Sequence, residues 1–571
     1  MVTTADIISP VSAGAKINDK NEATHKREPE FQRWRWTPGK VYHRVLAFFA
    51  FAYALGRFAT NEERYSLLDH MRSSFNDSPF GLKQRQVEVD SRKGVPLGRF
   101  VRSHGVRLLE VRDYQRETLQ TGSGRRRSIW WLSRGSGTSC IPVLARLTAY
   151  AAPSLMPVFY AVYASLFTTF SIGWEATLLF LGQHAVFYAT ASLRSTALCY
   201  VVAALIHLQE FYLPLDPCDY MSTKYGPMPF GAAFVAFHWN VLRGLSFSVD
   251  CVQSQQRKSA GENKRRWPPY WKTLGYLMYM PMLYLGPPQV YDDFVAQSEK
   301  PKPSCTPREV TIAVARILRC GAHFLLMEIM AHFFYSSAMA EWPRMGERLD
   351  LFSLLGYALS LEFNYYVCYL FTYGFAGALA KAEGIEVPGT APCIARLHRC
   401  SQFWRYFDRG MHLLIRRYFY EPVLGGRRTA SRMLLGTAVA FTFTITWHGF
   451  DSHSAVWCAL SALGVALEVV TIEIRKCTPV KKFEGRYLAS PERMRMTKCL
   501  LGSPHFVLTM CACIFHLARV KVCLVICRRI LTGFPFPMVP VLVVVYSGCH
   551  VALDVAEWEA RAKSKRNRVA P

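Results

Sequence analysis

The sequence is short of acid: 41 Asp and Glu stand against 68 Lys and Arg, for a net charge of +27. A surplus of that size suits a partner of opposite sign, either nucleic acid or an anionic membrane surface. The basic residues lie between long apolar runs, for which a soluble nucleic-acid binder has no use, so no nucleic-acid partner is expected. Paired Cys-x-x-Cys motifs at zinc spacing are absent. Most of the 17 cysteines sit inside apolar runs, among them Cys199, Cys368, Cys458, Cys511 and Cys523, where a free Cys behaves as a small hydrophobe. A secreted disulfide framework is excluded with the zinc module. No internal repeat is found, which removes support for an inverted-repeat transporter. The first 41 residues hold no apolar core of a signal peptide, so targeting is expected to fall to the first apolar segment, near 45–58.

What is present is apolar. Hydrophobic residues make up 51% and aromatics 14%, which rules out a disordered chain. The mean hydropathy of +0.08 averages apolar spans with charged tails and loops. Runs at about 45–58, 141–170, 171–190, 194–209, 228–249, 273–286, 310–338, 351–380, 430–448, 454–473, 500–517 and 534–553 approach the ~20 residues a helix needs to cross a ~30 Å hydrocarbon core. With that run length only helices satisfy their backbone polar groups in lipid. The expectation is an all-α, polytopic membrane bundle of about ten transmembrane helices plus re-entrant segments. Residues 1–42 read as a flexible cytosolic tail, 43–140 as the first transmembrane helix with a basic variable insert, 141–558 as the membrane domain and 559–571 as a basic tail. Charge runs such as Arg125-Arg126-Arg127, the stretch 257–272 and the C-terminal tail read as solvated loops that mark the cytosolic side, with a specific contact to anionic membrane lipids or acyl-CoA as the alternative. Both termini are then cytosolic and the number of spans even.

Polar residues inside apolar segments are costly and carry the functional information. His448 ends the apolar run 430–448 between Trp447 and Gly449. An imidazole there serves either as general base or as a helix cap at the interface, and spacing alone leaves both readings standing. Upstream, residues 400–428 mix aromatics with Arg405, Arg409, Arg416, Arg417 and Asp408. The stretch is too polar to span and too aromatic for a plain loop, and reads as a re-entrant helix ending at Gly425-Gly426. Asp408 is either a surface ion-pair partner of Arg405 and Arg409 or a buried carboxylate that orients a partner of His448. His323, Glu328 and His332 share one long helix in an order unlike a zinc hydrolase, and are expected to line the polar interior. His238 near Arg243 is expected to do the same, and Gly286-Pro287-Pro288 to break a helix at a tunnel wall.

The strings Phe403-Trp404-Arg405-Tyr406-Phe407-Asp408, Ile415 to Gly426 and Phe441 to Gly449 together resemble the signature of the membrane-bound O-acyltransferase (MBOAT) family. The stretches 238–252, 276–297 and 325–339 are similar to further family segments, and the resemblance covers about residues 195–558. An Asp forty positions before the Trp-His-Gly histidine is similar to the protein-cysteine N-palmitoyltransferase branch, the Hedgehog acyltransferases; lipid- and Wnt-acylating branches usually carry Asn. The Phe-Tyr-x-Asp-Trp-Trp-Asn string of the sterol and diacylglycerol branches is absent, and Leu424 is extra to the usual spacing before Gly425-Gly426. The resemblance implies a multi-pass endoplasmic reticulum enzyme. It implies palmitoyl-CoA as acyl donor and the N-terminal cysteine of a Hedgehog-type secreted protein as acceptor. His448 would be the base, Asp408 its acidic partner, Trp404 a wall between donor and acceptor, and Arg405 part of the donor site. Cys393 corresponds to a family cysteine that ligates a haem iron, implying haem b; read alone, Cys393 is a buried structural thiol, and Cys400 is its neighbour without that role. An acyltransferase with a lysophospholipid acceptor and a non-catalytic transporter or regulator are the alternatives.

Overall fold

The computed structural model describes residues 37–63, 76–77, 83–84, 135–212, 224–225, 227–258, 267–284, 286–302, 306–334, 336–340, 343–394 and 397–569. Most of the basic insert and most of the N-terminal tail expected from the sequence lie outside these residues. Among the described residues the chain is helical, apart from a two-residue antiparallel ladder of Asn76–Asp77 on Lys83–Gln84.

The long helices are α1 (Pro38–Ala59), α2 (Gly135–Ala151), α3 (Met156–Ser171), α4 (Trp174–Ser192), α5 (Thr196–Tyr212), α6 (Pro227–Lys258), α7 (Pro307–Phe333) and α8 (Leu351–Glu383). Two short helices follow, α9 (Cys400–Tyr406) and α10 (Arg409–Ile415), then α11 (Ala430–Trp447), α12 (Ser452–Lys476), α13 (Pro491–Leu517), α14 (Val520–Leu531) and α15 (Met538–Val569). Their ends are written in the sequence. Thr37 and Thr306 cap α1 and α7 ahead of a proline, and Thr306 forms a reciprocal capping box with Glu309. Asp350 caps α8, which stops at Gly384 in the left-handed region. Asp451 caps α12.

Among the described residues, five segments are long and apolar enough to cross a bilayer: Pro153–Ser171, Pro307–Phe333, Ser452–Lys476, Pro491–Leu517 and Met538–Ala562. α7 shows how such a helix is used. Val310, Val314, Leu318, Leu325, Ile329 and Phe333 face outward, while Phe324, Met327 and Met330 pack inward. α6 and α8 lie in the interior and spend Tyr, Ser and His where an outer helix spends Val and Leu, which lowers their hydropathy without moving them out of the bundle. The run 141–170 divides at Ala152 into α2 and α3, and 273–286 breaks into Tyr270–Leu277 and Met280–Leu283 before Gly286, as its glycine and prolines require.

Two ends of the bundle are defined by charge. At one, Asp554 of α15 is paired by Arg495 of α13 and by Lys40 and Arg44 of α1. At the other, Asp350 takes Arg57 and Asn61 from the end of α1, and Arg529 of α14 donates to the carbonyls of Gly346 and Leu349. α1 and α8 cross in close contact at Gly356, where any Cβ would lie 2.0 Å from the Ala54 carbonyl oxygen. That glycine is required by proximity rather than by its dihedrals.

Candidate active site

A cavity of about 1140 Å³ runs through the bundle, walled by α1, α6, α8 to α13 and α15. Each candidate site residue, His448, Asp408, Trp404, Arg405 and Cys393, lines it.

His448 is the C-cap of α11: its backbone N–H reaches the carbonyls of Thr444 and Ile445 at 3.1 and 3.2 Å. The chain then turns through Gly449 and Phe450, both at positive φ, into the Asp451 cap of α12. The turn presents the imidazole to the cavity. The edges of Trp457 and His516 meet it, with centroids 5.2 and 5.4 Å away. The two readings of His448 thus coincide: its backbone caps the helix while its ring faces the cavity.

Asp408 sits between α9 and α10 and caps α10, one carboxylate oxygen accepting from the Met411 N–H at 2.9 Å. Its other oxygen accepts from the hydroxyls of Tyr373 at 2.9 Å and Tyr369 at 3.5 Å. The ion pair with Arg405 and Arg409 is not formed; tyrosines of α8 hold the carboxylate instead. Gly410, two residues on, lies so close to Pro288 that a Cβ would fall 2.6 Å from its carbonyl oxygen, which fixes the approach of α10. The Gly286-Pro287-Pro288 break therefore positions the Asp408 turn.

The tyrosines form a column on one face of α8. Tyr373, Tyr369 and Tyr365 follow at ring separations of 4.7 and 5.0 Å. Tyr365 is bonded through its hydroxyl to His516 Nε2 at 3.0 Å, and His516 stacks on Trp457 at 4.1 Å. The column links the Asp408 carboxylate to the histidine that meets His448. His516 lies in the Cys511 to Leu517 stretch, which reads as plain apolar span. The Tyr365, Tyr369 and Tyr373 spacing was its only signal, because four-residue spacing puts side chains on one helix face.

Trp404 stacks on Trp457 at 4.9 Å and meets Phe441 edge-on at 4.8 Å, so it forms the cavity wall beside His448. Its helix is pinned from behind. Glu468 of α12 accepts from the Ser401 N–H at 2.9 Å and the Ser401 hydroxyl, and contacts His505 Nε2 at 3.1 Å. Cys400 donates its backbone N–H to the same His505 and its thiol to the Ser461 carbonyl. Cys400 is thus buried in packing, whereas Cys393 is exposed beside the cavity, with Tyr366 donating to the neighbouring Pro392 carbonyl. Arg405 and Arg416 line the same cavity.

The structure redistributes the remaining candidates. His238 lines the cavity, but Arg243 is fully buried and donates to the backbone carbonyls of Tyr276 and Leu277. His323, Glu328 and His332 do not line it: α7 packs on the outer side of α8 with most of its surface facing outward. A one-sided helix can carry polar residues against its neighbour without reaching the centre of the bundle.

The half-buried His448 imidazole, the tyrosine-held Asp408 carboxylate and the side chains of Arg405 and Arg416 thus share one largely apolar cavity. The sequence pattern of the family described as MBOAT, membrane-bound O-acyltransferase, matches residues 159–511, and the chain belongs to that family. It is 26% identical over 358 residues to "Protein-cysteine N-palmitoyltransferase Rasp" of Drosophila melanogaster, covering 62% of this chain and 65% of the relative. It is 28% identical over 284 residues to "Protein-cysteine N-palmitoyltransferase HHAT" of Mus musculus, covering 50% and 56%. A mouse "HHAT-like protein" is 26% identical over 418 residues, covering 72% and 80%. The chain spans less than two thirds of the length of the first two relatives.

Proposed function

We propose that this chain transfers palmitoyl from palmitoyl-CoA to the N-terminal cysteine of a Hedgehog-type secreted protein at the endoplasmic reticulum membrane. The observation that carries the reading is the placement of His448 and Asp408 on one apolar cavity, in a chain similar to protein-cysteine N-palmitoyltransferases. Residues 141–558 make up the working domain. The CoA phosphates are held by cationic side chains that include Arg405 and Arg416, and the acyl chain lies along the apolar wall. Trp404 separates donor from acceptor. The acceptor nitrogen attacks the thioester carbonyl carbon; a C–N bond forms and the C–S bond breaks. His448 takes the proton the nitrogen sheds and returns a proton to the departing CoA thiolate. Asp408, acting through the tyrosine column and His516, stabilises the imidazolium formed in between.

The Cys393 thiol suits a haem iron in its donor chemistry: it is exposed and sits beside Ile394, Leu397 and Tyr366 along the cavity. A haem bound there would serve as a structural group. Purified protein is expected to show a thiolate-type Soret band that Cys393→Ala removes and Cys400→Ala keeps; a wild-type spectrum without that band refutes the haem site.

The function is tested with labelled palmitoyl-CoA and two acceptors offered to purified protein, a Hedgehog N-terminal peptide and a lysophospholipid. Label on the peptide alone supports the reading. Label on the lysolipid alone assigns a lipid acyltransferase instead.

A further inference from the structure

Four carboxylates line the cavity: Glu362, Asp408, Glu421 and Glu468. Three are committed. Asp408 is held by Tyr373, Tyr369 and the Met411 N–H, Glu421 by Arg416 and Arg428, and Glu468 by Ser401 and His505. Glu362 has no hydrogen-bond or ion-pair partner among the described residues, and its Oε1 is sealed from solvent without one. A carboxyl group placed in an apolar wall inside a membrane bundle is expensive, and the cost is recovered only when a partner arrives.

Its position says what partner. Glu362 is on α8 three residues before Tyr365, whose hydroxyl binds His516, a separation of about one helical turn, or ~5 Å of rise along the axis. The neighbouring Phe363 packs on Phe51 of α1, toward the end of the bundle marked by Asp350. Asp408, Arg405 and Arg416 lie the other way: Asp408 is bonded to Tyr373, eleven residues further along α8. The anionic donor is served by the arginine side, and a carboxylate would repel its phosphates. The Glu362 side is left for a group of positive charge.

We propose that Glu362 is the cation-binding residue of this cavity and receives the α-ammonium of the acceptor peptide before its nitrogen reaches His448. The assignment rests on the acyl-transfer reading for the identity of the cation. An ammonium entering an apolar passage loses its water, and a carboxylate in the passage wall replaces that hydration with one charge-assisted bond. Selection of a free N-terminus over a blocked one follows from the same bond.

The test is a binding measurement on the full chain in detergent, with palmitoyl-CoA absent. A fluorescent peptide with a free N-terminal cysteine is compared with its N-acetylated twin by polarisation. Wild-type protein is expected to favour the free amine about tenfold. Glu362→Gln, which keeps shape, and Glu362→Leu are expected to lose that preference, Glu362→Asp to keep part of it, and all three to bind palmitoyl-CoA as before; Glu362→Gln and Glu362→Leu, which remove the unpartnered carboxyl, are expected to keep or raise the thermal midpoint. A preference that survives Glu362→Gln, or a wild type without any preference, overturns the proposal. A wild type that discriminates the two peptides yet transfers no palmitoyl leaves this inference standing and refutes the proposed function.

Discussion

At the scale of single residues, the site separates roles that one cluster of titratable groups would blur. His448 meets Trp457 and His516 in edge contacts, so replacing it with Ala removes the proposed base and leaves the stack of Trp457 on His516 in place. His448→Ala is expected to abolish peptide palmitoylation with an unchanged elution profile and thermal midpoint; a folded variant that turns over near the wild-type rate refutes the assignment. Asp408 caps α10 and, in the proposed mechanism, also supplies a charge; Asn separates the two. An Asn side chain still caps α10, since Asn is as good an N-cap as Asp, and still accepts from Tyr373. Asp408→Asn therefore keeps the turn and loses only the charge. The expected result is a kcat lower by about 10²–10³ with palmitoyl-CoA affinity near wild type, within the range general acid–base groups contribute. Loss of donor affinity at constant kcat makes Asp408 a positioning residue.

At the scale of elements, α9 and α10 are too short to hold their own geometry, and neighbouring helices hold it for them. Gly410 against Pro288 fixes one end, and the Ser401, Glu468 and His505 cluster fixes the other. Glu468→Ala leaves the Ser401 N–H and hydroxyl without their acceptor inside the bundle, at roughly 1–3 kcal/mol for each stranded group. The variant is expected to lose thermal stability and to raise the KM for palmitoyl-CoA, because Trp404 and Arg405 ride on that helix. A variant with both quantities at wild-type values shows that α9 is held by packing alone.

At the scale of the whole molecule, orientation follows charge. The C-terminal end of α12, the N-terminal end of α13 and the intervening helix Thr478–Tyr487 carry Arg475, Lys476, Lys481, Lys482, Arg486, Arg493 and Arg495. The hydrogen bond from Arg475 holds the Glu484 carboxyl below the usual range, so this connection stays ionised at neutral pH. The positive-inside rule predicts that this end faces the cytosol, together with the Arg495–Asp554 pair and the start of α1. Cys477 is exposed in that connection. In sealed microsomes a membrane-impermeant maleimide is expected to label Cys477 without permeabilisation, and Cys477→Ser to remove that label. Labelling that requires detergent inverts the topology and puts the arginine side of the cavity in the lumen.

Much of this was legible along the chain. Apolar runs and charged connections determined an all-helical membrane bundle, because lipid leaves no other way to satisfy the backbone. Gly425-Gly426 marked the end of the polar aromatic stretch, because helix ends are local chemistry. His448 and Asp408 stood out because polar groups in apolar sequence are costly. What the chain could not state is which polar groups meet. Asp408 has arginines beside it in sequence and tyrosines beside it in space. His516, 68 positions from His448, joins it only because α12 and α13 fold back alongside α11, and Glu362 differs from three other cavity carboxylates only in lacking a partner. α7 has histidines and a glutamate at promising spacing, and packing places them away from the cavity. Local sequence sets caps, breaks and polarity; the choice of partner is made by helices that cross, and that choice exists only in three dimensions.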